Sequence, residues 1–412
     1  MSESIQLNSL RLNSLSLSRS RAAAENMAML VFVALCSLYV PLSLAQESDI
    51  PLAGADSLLF MPQALRQQAF GNVQTLSETR TVAASDNPHR LVSKPQDWSD
   101  LEYEVDGETF SLDDYFQRLA SRGLIVLQGD EVLLERYGSG NTPETRWITF
   151  SVTKSVTSLL IGAAIHDGYI GSVDEHVTDY IPRLKGSAYE GVKIRDILHM
   201  ASGVAWNEDY ADPESDVAQA GAANGVELTE YLATLPREAQ PGSRFNYNTG
   251  ETNLVGELLR AAIGNNASRY LENKIWRPFG MEHDAYWLLS SAGGVETGGC
   301  CINATLRDYA RIGRFVLADG VLPSGERVVP ENWIRDSVTP SQGSENYGYL
   351  WWLYDEGAFS ARGIFQQRIF IDPARDAVIA THGNALNATG DEDQDHTNAV
   401  IEALRRTLEP QG

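Results

Sequence analysis

Strand patterns near both ends of the chain, separated by a long helical stretch, are the feature that most constrains the fold. Residues 124–134 form two apolar runs around a Gly-Asp pair, which predicts a β-hairpin. Residues 347–380 carry strand patterns again, with an Asp-Pro turn between two apolar runs. Residues 175–340 between them show mostly helical patterns joined by loops rich in Gly, Pro and Asp. Two distant parts of the chain must therefore meet in one sheet.

Apolar residues at helical spacing predict helices over residues 109–121, 151–167 and 394–408. The strands then alternate with helices, and the strand-bearing parts lie within 101–150 and 345–412. We therefore expect an α/β (α+β) fold with an antiparallel sheet flanked by helices and a large, mostly helical insert. No internal repeats are found in the sequence.

The N-terminus is typical of a targeting segment. Residues 1–45 combine a polar, arginine-containing start with an apolar run that ends in a small-x-small pattern, which predicts a secretory signal peptide. The alternative is an uncleaved membrane anchor, but Pro41 interrupts the run. Residues 46–100 are interpreted as an extension that wraps the main domain of residues 101–412. We expect a periplasmic or secreted protein with no stable membrane insertion after cleavage.

Charge and cysteine content exclude several classes of function. The 412 residues carry 55 acidic against 32 basic side chains, for a formal net charge of −23, which argues against a nucleic-acid partner. The three cysteines form no CxxC pair and no zinc-like spacing with histidine, so we expect no structural metal. Cys300 and Cys301 are adjacent, and two free buried thiols are expected rather than a vicinal disulfide.

Ser151 and Lys154 are the first candidate catalytic residues. Ser151 opens a predicted apolar helix, and a spacing of three residues brings Lys154 to the same side of that helix. A serine hydroxyl needs a base to become a good nucleophile, and a buried lysine can serve if burial holds it neutral. The alternative is a helix-capping serine followed by a surface lysine. The apolar surroundings favour the catalytic interpretation, because an unpaired buried lysine is costly.

Two further segments supply candidate partners. Tyr247 lies in a polar loop just before a predicted helix and could relay a proton, although most tyrosines are packing residues. Gly363 is predicted at a strand edge, where the absence of a side chain permits close approach of a substrate. The amide of Ile364, which follows it, could supply half of an oxyanion hole. Trp351 could line a pocket, although alternating strand aromatics are usually core.

These segments together resemble the serine β-lactamase and penicillin-binding-protein superfamily. The resemblance covers about residues 100–408 and is to the class C-like branch, in particular its 6-aminohexanoate-dimer hydrolase and family VIII carboxylesterase types. It is carried by Ser151-Val152-Thr153-Lys154 and by six further segments in the expected order: 194–203, 245–248, 292–296, 304–311, 347–352 and 363–365. Seven ordered segments are far more specific than one SxxK motif.

The resemblance implies a β-lactamase/transpeptidase-like fold and a serine hydrolase that acts through an acyl-enzyme. Ser151 would be the nucleophile, Lys154 its base and Tyr247 the proton shuttle to the leaving group. The amides of Ser151 and Ile364 would bind the oxyanion. The residues expected to contact substrate are Asn248, Arg362, Gly363 and Trp351. The resemblance implies no metal and no organic cofactor. The expected partner is a small amide or ester, and the oligomeric state stays open.

The chain departs from the family pattern at two motifs. Asn248 directly follows Tyr247, whereas the family often has Tyr-x-Asn, and Ala361-Arg362-Gly363 stands where true β-lactamases have Lys-Thr/Ser-Gly. The missing lysine normally helps to hold a β-lactam carboxylate. These changes favour an amidase or esterase, with a D,D-peptidase, a weak β-lactamase or a non-catalytic penicillin-binding-like sensor domain as the alternatives.

Overall fold

The computed structural model describes residues 58–59, 61–221, 223 and 225–410. The predicted signal peptide of residues 1–45 lies outside the described residues. Within the described part, no helix is long and apolar enough to cross a membrane. The strands are β1 Thr79–Val82, β2 Val92–Ser93, β3 Glu102–Val105, β4 Glu108–Ser111, β5 Gly123–Gln128, β6 Glu131–Tyr137, β7 Arg146–Ile148, β8 Ala285–Leu288, β9 Ile302–Thr305, β10 Trp352–Leu353, β11 Phe359–Gly363, β12 Gln367–Asp372 and β13 Ala377–His382.

Helices account for most of the remaining regular structure. They are α1 Gln63–Gly71, α2 Val73–Leu76, α3 Leu112–Arg118, α4 Val152–His166, α5 Val177–Tyr180, α6 Ile194–Leu198, α7 Asp216–Ala220, α8 Gly225–Thr234, α9 Thr249–Ile263, α10 Ala267–Leu271, α11 Arg277–Phe279, α12 Leu306–Leu317, α13 Trp333–Ser337 and α14 Asp391–Arg406.

The central sheet unites the two strand-bearing parts of the chain, as predicted. Its seven strands run in the order β10-β11-β12-β13-β5-β6-β2. The β5–β6 hairpin pairs antiparallel with β13, and only the two-residue strand β2 runs parallel to its neighbour. The expected α/β fold with an antiparallel sheet is confirmed.

Helices cover both faces of this sheet, and the alternation of side chains along each strand separates two cores. Ile369 and Ile371 of β12 point into the core that contains α4 and α12. Phe370, between them, points into the core that contains α3 and α14. This period of two follows from the pleat of the strand, and it fixes which strand residues can face the loops of the helical region.

A second sheet, of order β1-β8-β9-β7, includes strands from two parts of the chain where no strand is predicted. The region 175–340 is not only helical, because it supplies β8 and β9. The extension 46–100 does more than wrap the domain, because it contributes β1 here and β2 to the central sheet. The predicted helix 109–121 is also shorter: it begins at Leu112 after a β-strand, and Ser111 caps it by accepting from the Asp114 amide.

Candidate active site

Ser151 and Lys154 meet at the N-terminus of α4, as the SxxK spacing predicts. Ser151 precedes the helix, and Phe150 before it has a left-handed φ of 46° that turns the chain sharply from β7 into α4. The Lys154 Nζ atom lies 2.9 Å from the Ser151 Oγ atom. Lys154 is only 1% exposed, so it is not the surface lysine of the alternative interpretation.

Three acceptors surround the Lys154 amine. Besides Ser151, Nζ contacts the Thr249 hydroxyl and the Gly299 carbonyl, each at 3.0 Å. A neutral amine has two N–H donors and one lone pair, so it can donate to Thr249 and Gly299 and accept the Ser151 proton. Burial lowers the pKa of Lys154 to about 8, although the negative charge of Glu208 raises it. An appreciable fraction of the Lys154 side chain can therefore be in its neutral, basic form.

Tyr247 lies beside this pair, also as predicted. Its ring centroid is 5.3 Å from Lys154 Nζ, and Tyr247 lines the same cleft as Ser151. Burial raises the pKa of Tyr247 well above its usual range, with a further rise from the charge of Glu208. The phenol is therefore protonated at neutral pH and can act as a donor or relay, whereas Lys154 is the group that can accept a proton.

Asn248 is expected to contact substrate, but the structure places it at the start of α9. It is 1% exposed and is the N-cap of α9, where its side-chain oxygen accepts from the Glu251 amide at 2.8 Å. It does not line the cleft described below. Asn248 instead fixes the start of α9, and so places Tyr247 before it and Thr249 after it.

Gly363 ends β11 beside Ser151, and its role is steric. A Cβ atom at Gly363 would lie 2.5 Å from the Thr149 carbonyl oxygen and 3.2 Å from the Ser151 amide nitrogen. The glycine is therefore needed for close approach of the protein's own backbone, not only for the approach of a substrate. Ile364 follows it, and the left-handed φ of 58° at Phe365 turns the chain away into β12. The two predicted oxyanion residues, Ser151 and Ile364, thus line one cleft.

This cleft has a volume of about 310 Å³ and lies between the sheet edge and the helical region. Arg362 and Trp352 line it, with the guanidinium carbon 4.6 Å from the ring centroid. Trp351, which is expected to contact substrate, does not line this cleft. Trp351 is 1% exposed and packs on Phe359 in the core, because neighbouring strand residues point to opposite faces.

Glu208 is a cleft residue that the sequence analysis missed. Its carboxylate accepts from the Thr249 amide at 3.0 Å and the Tyr210 hydroxyl at 2.6 Å, and from the Thr249 hydroxyl and the Trp206 indole. The Thr249 hydroxyl therefore links the Glu208 carboxylate to the Lys154 amine. In the sequence it is one of many acidic loop residues, and only the tertiary contact with Thr249 distinguishes it.

Cys300 lines a smaller pocket next to Ser151, and the structure joins it to Cys301. The expectation of two free thiols is therefore wrong, since the two adjacent side chains turn toward each other and form a vicinal disulfide. Among the residues that the structure describes, no group of three or more His, Cys, Asp or Glu side chains could hold a metal ion.

Comparison with known proteins agrees with this geometry. A family model described as Beta-lactamase matches residues 112–404, which span both parts of the central sheet and the helical region. The chain belongs to the beta-lactamase family. It is 30% identical over 324 residues to the 6-aminohexanoate-dimer hydrolase of Paenarthrobacter ureafaciens, covering 72% of this chain and 80% of that protein. The family comprises serine hydrolases, and this chain is one of them.

Two solved structures share the fold. A Bacillus anthracis structure that carries the provisional name 6-aminohexanoate-dimer hydrolase superposes with a TM-score of 0.74 at 21% identity, covering 84% of this chain and 95% of that one. A family VIII carboxylesterase superposes with a TM-score of 0.54 at 19% identity, covering 72% and 96%. These two likenesses concern the fold alone.

Proposed function

We propose that this chain hydrolyses small amides or esters through an acyl-enzyme formed on Ser151. The observation that carries the proposal is the buried Lys154 amine 2.9 Å from the Ser151 hydroxyl, with a pKa lowered to about 8 by burial. For packing alone, an apolar residue would serve better than a buried lysine next to a serine at a strained helix start.

The steps follow from the donors and acceptors in the cleft. Ser151 Oγ attacks the carbonyl carbon while its proton passes to Lys154 Nζ. The amides of Ser151 and Ile364 bind the resulting oxyanion. Tyr247 gives its phenolic proton to the leaving nitrogen or oxygen and is reprotonated from Lys154. A water molecule then attacks the ester on Ser151, and the acid product leaves with the serine restored.

Similarity to named relatives supports one class of substrate more than another. The curated relative that this chain resembles over most of its length is named for hydrolysis of a 6-aminohexanoate dimer, which supports a linear amide. A D,D-peptidase activity has weaker support. A D-alanyl-D-alanine carboxypeptidase of Escherichia coli, itself a provisional name, matches at 29% identity over 27% of each chain.

A substrate panel on the purified protein tests the proposal. It comprises p-nitrophenyl esters, linear amide dimers, nitrocefin and a peptide ending in D-alanyl-D-alanine. We expect turnover of esters or amide dimers that Ser151→Ala abolishes. Ser158→Ala is the matched control, because this serine lies on the same helix and its buried hydroxyl has no hydrogen-bond partner. Turnover that survives in Ser151→Ala, or no turnover of any member of the panel, would refute the proposal.

We also propose that the protein is exported, with residues 1–45 removed as a signal peptide. The polar start and the apolar run with a small-x-small end support this location. N-terminal sequencing of the protein recovered from the periplasm or medium should begin near Gln46. Recovery of the full-length chain from the membrane fraction would instead favour the uncleaved anchor.

A further inference from the structure

A pair of glycines supplies one of the three acceptors of the Lys154 amine. Gly298 and Gly299 lie in the loop between β8 and β9, and the Gly299 carbonyl accepts from Lys154 Nζ at 3.0 Å. Glycine restricts its own backbone less than any other residue does. The direction of this carbonyl must therefore be fixed by contacts from outside the glycine pair.

Packing against α9 explains why both positions are glycine. A Cβ atom at Gly298 would lie 2.4 Å from the Thr252 carbonyl oxygen. A Cβ atom at Gly299 would lie 2.9 Å from the Thr252 hydroxyl and 3.0 Å from the Asn253 side-chain oxygen. The loop therefore passes directly against the helix, and no side chain of its own can hold these two residues in place.

Two buried side chains, Thr157 and Asn253, hold the peptide group between the glycines, and we call them the clamp residues. The Thr157 hydroxyl donates to the Gly298 carbonyl oxygen at 2.7 Å, and the Asn253 side-chain oxygen accepts from the Gly299 N–H at 2.9 Å. Both clamp residues are fully buried. The two hydrogen bonds engage opposite ends of one planar peptide group, so they fix the orientation of that plane. The Gly299 carbonyl is the next polar group along the chain.

The clamp residues lie on the two helices that also supply the groups of the site. Thr157 follows Lys154 by three positions on α4, and Asn253 follows Thr249 by four positions on α9. Asn253 is itself held, because its amide nitrogen donates to the Gly221 carbonyl at 2.9 Å. The glycine loop is therefore tied to the same helices that carry the Lys154 amine and the Thr249 hydroxyl.

We infer that Thr157 and Asn253 are positioning residues for the general base. They hold the Gly299 carbonyl where it takes one N–H of the Lys154 amine, and the lone pair of the neutral amine is then directed at the Ser151 hydroxyl. This inference rests on the proposed hydrolase function and adds to it two residues that do not line the cleft.

Loss of the clamp should have two effects of different kinds. An ammonium group donates hydrogen bonds more strongly than a neutral amine, so a carbonyl that turns away lowers the pKa of Lys154. The amine can then also rotate, and its lone pair leaves the Ser151 hydroxyl. In the described part of the chain, the titratable groups that face Lys154 are Ser151, Tyr247 and Glu208. Neither clamp residue ionises, so any movement of this pKa must act through the carbonyl.

An NMR titration of the lysine side chains tests the first effect without turnover. The chain has five lysines, so isotopically labelled lysine gives few signals, and the signal lost in Lys154→Met is that of Lys154. Thr157→Val and Asn253→Leu each remove a hydrogen bond and keep the approximate size of the side chain. In either variant the pKa of Lys154 should fall by about one pH unit below its wild-type value.

Ester hydrolysis tests the second effect. In both variants the high-pH plateau of kcat/KM should fall about tenfold or more, mainly through kcat, and the rising limb should move to lower pH. A misfolded fraction would lower the whole profile without moving its limb. Thr157→Ser keeps the hydroxyl and should retain the wild-type limb and most of the plateau. Ser158→Ala is the matched control, because its buried hydroxyl on the same helix has no hydrogen-bond partner.

The two measurements distinguish failure of this inference from failure of the proposed hydrolase function. A pKa of Lys154 that falls in either variant, but not in Ser158→Ala, supports the clamp even if no ester is turned over. A pKa that stays as in wild type or rises in both variants overturns the clamp, even if ester hydrolysis depends on Ser151. A plateau that both variants leave at the wild-type level overturns it as well.

Discussion

The pH dependence of acylation is the property that the buried lysine controls most directly. The base must be neutral to accept the Ser151 proton, so kcat/KM should rise with pH and level off above the pKa of Lys154, about 8. That pKa leaves ~10% of the lysine neutral at pH 7 and ~90% at pH 9, so a rise of ~10-fold is expected between them. A lysine with its ordinary pKa of 10.5 would be ~0.03% neutral at pH 7.

Glu208→Gln shifts this profile in a predictable direction. The carboxylate is linked to Lys154 Nζ through the Thr249 hydroxyl. Two hydrogen bonds place the charges within ~6 Å, and Coulomb's law with an effective dielectric of ~20 gives ~3 kcal/mol, or ~2 pH units. Water in the open cleft screens part of this, so the rising limb should move to lower pH by at least about one pH unit.

The assay is kcat/KM for a p-nitrophenyl ester between pH 6 and 9.5 at constant ionic strength, corrected for spontaneous hydrolysis. Glu131→Gln is the matched control, because this carboxylate is partly exposed and pairs with Lys94 outside the cleft. Its profile should coincide with that of wild type. A flat wild-type profile over this range, or a limb that Glu208→Gln leaves in place or moves to higher pH, would refute the assignment of Lys154 as the base.

Three further predictions concern the structure around the site. Gly363→Ala should lower kcat about 100-fold or more in the ester assay, because its Cβ would displace the Thr149 carbonyl beside Ser151, and wild-type kcat would contradict this. Burial raises the pKa of Glu251 to about 8, so the stability that its protonated form provides is lost as pH rises from about 4.5 through 8. Glu251→Gln should therefore increase the free energy of unfolding, relative to wild type, by about a few kcal/mol at pH 9 and by less at pH 6. Equal differences between variant and wild type in urea titrations at the two pH values would contradict this. Arg66→Ala should cost about 2–4 kcal/mol in the same titrations and also lower kcat, because Arg66 donates to the Ala385 and Leu386 carbonyls and lies over Phe365, next to Ile364; unchanged stability would contradict it.

The elements that were predictable are those whose signal is local. The hairpin β5–β6 and the helix α4 have a period or a turn that can be read in a short window. The pairing of Ser151 with Lys154 is equally local, because the helix itself sets their distance. Tyr247 was predicted from the resemblance of its segment to the family, and the structure places it beside Ser151 and Lys154.

The sheet β1-β8-β9-β7 was missed because its strands have only three or four residues, and because β1 and β7 pair with strands that are far away in the chain. Trp351 and Trp352 show a related limit: the alternation was visible, but its phase depends on which face of the strand meets the cleft. Glu208 has ordinary sequence surroundings. Its link to Lys154 arises only from the tertiary contact of its loop with Thr249.

The formation of a covalent intermediate on Ser151 is the central claim, and active-site labelling measures it most directly. A fluorophosphonate probe reacts with a serine only when a neighbouring base activates it. Peptide mapping by mass spectrometry should place one label per chain on Ser151, with none in Ser151→Ala and wild-type labelling in Ser158→Ala. A label on another residue, or labelling that persists in Ser151→Ala, would contradict the account.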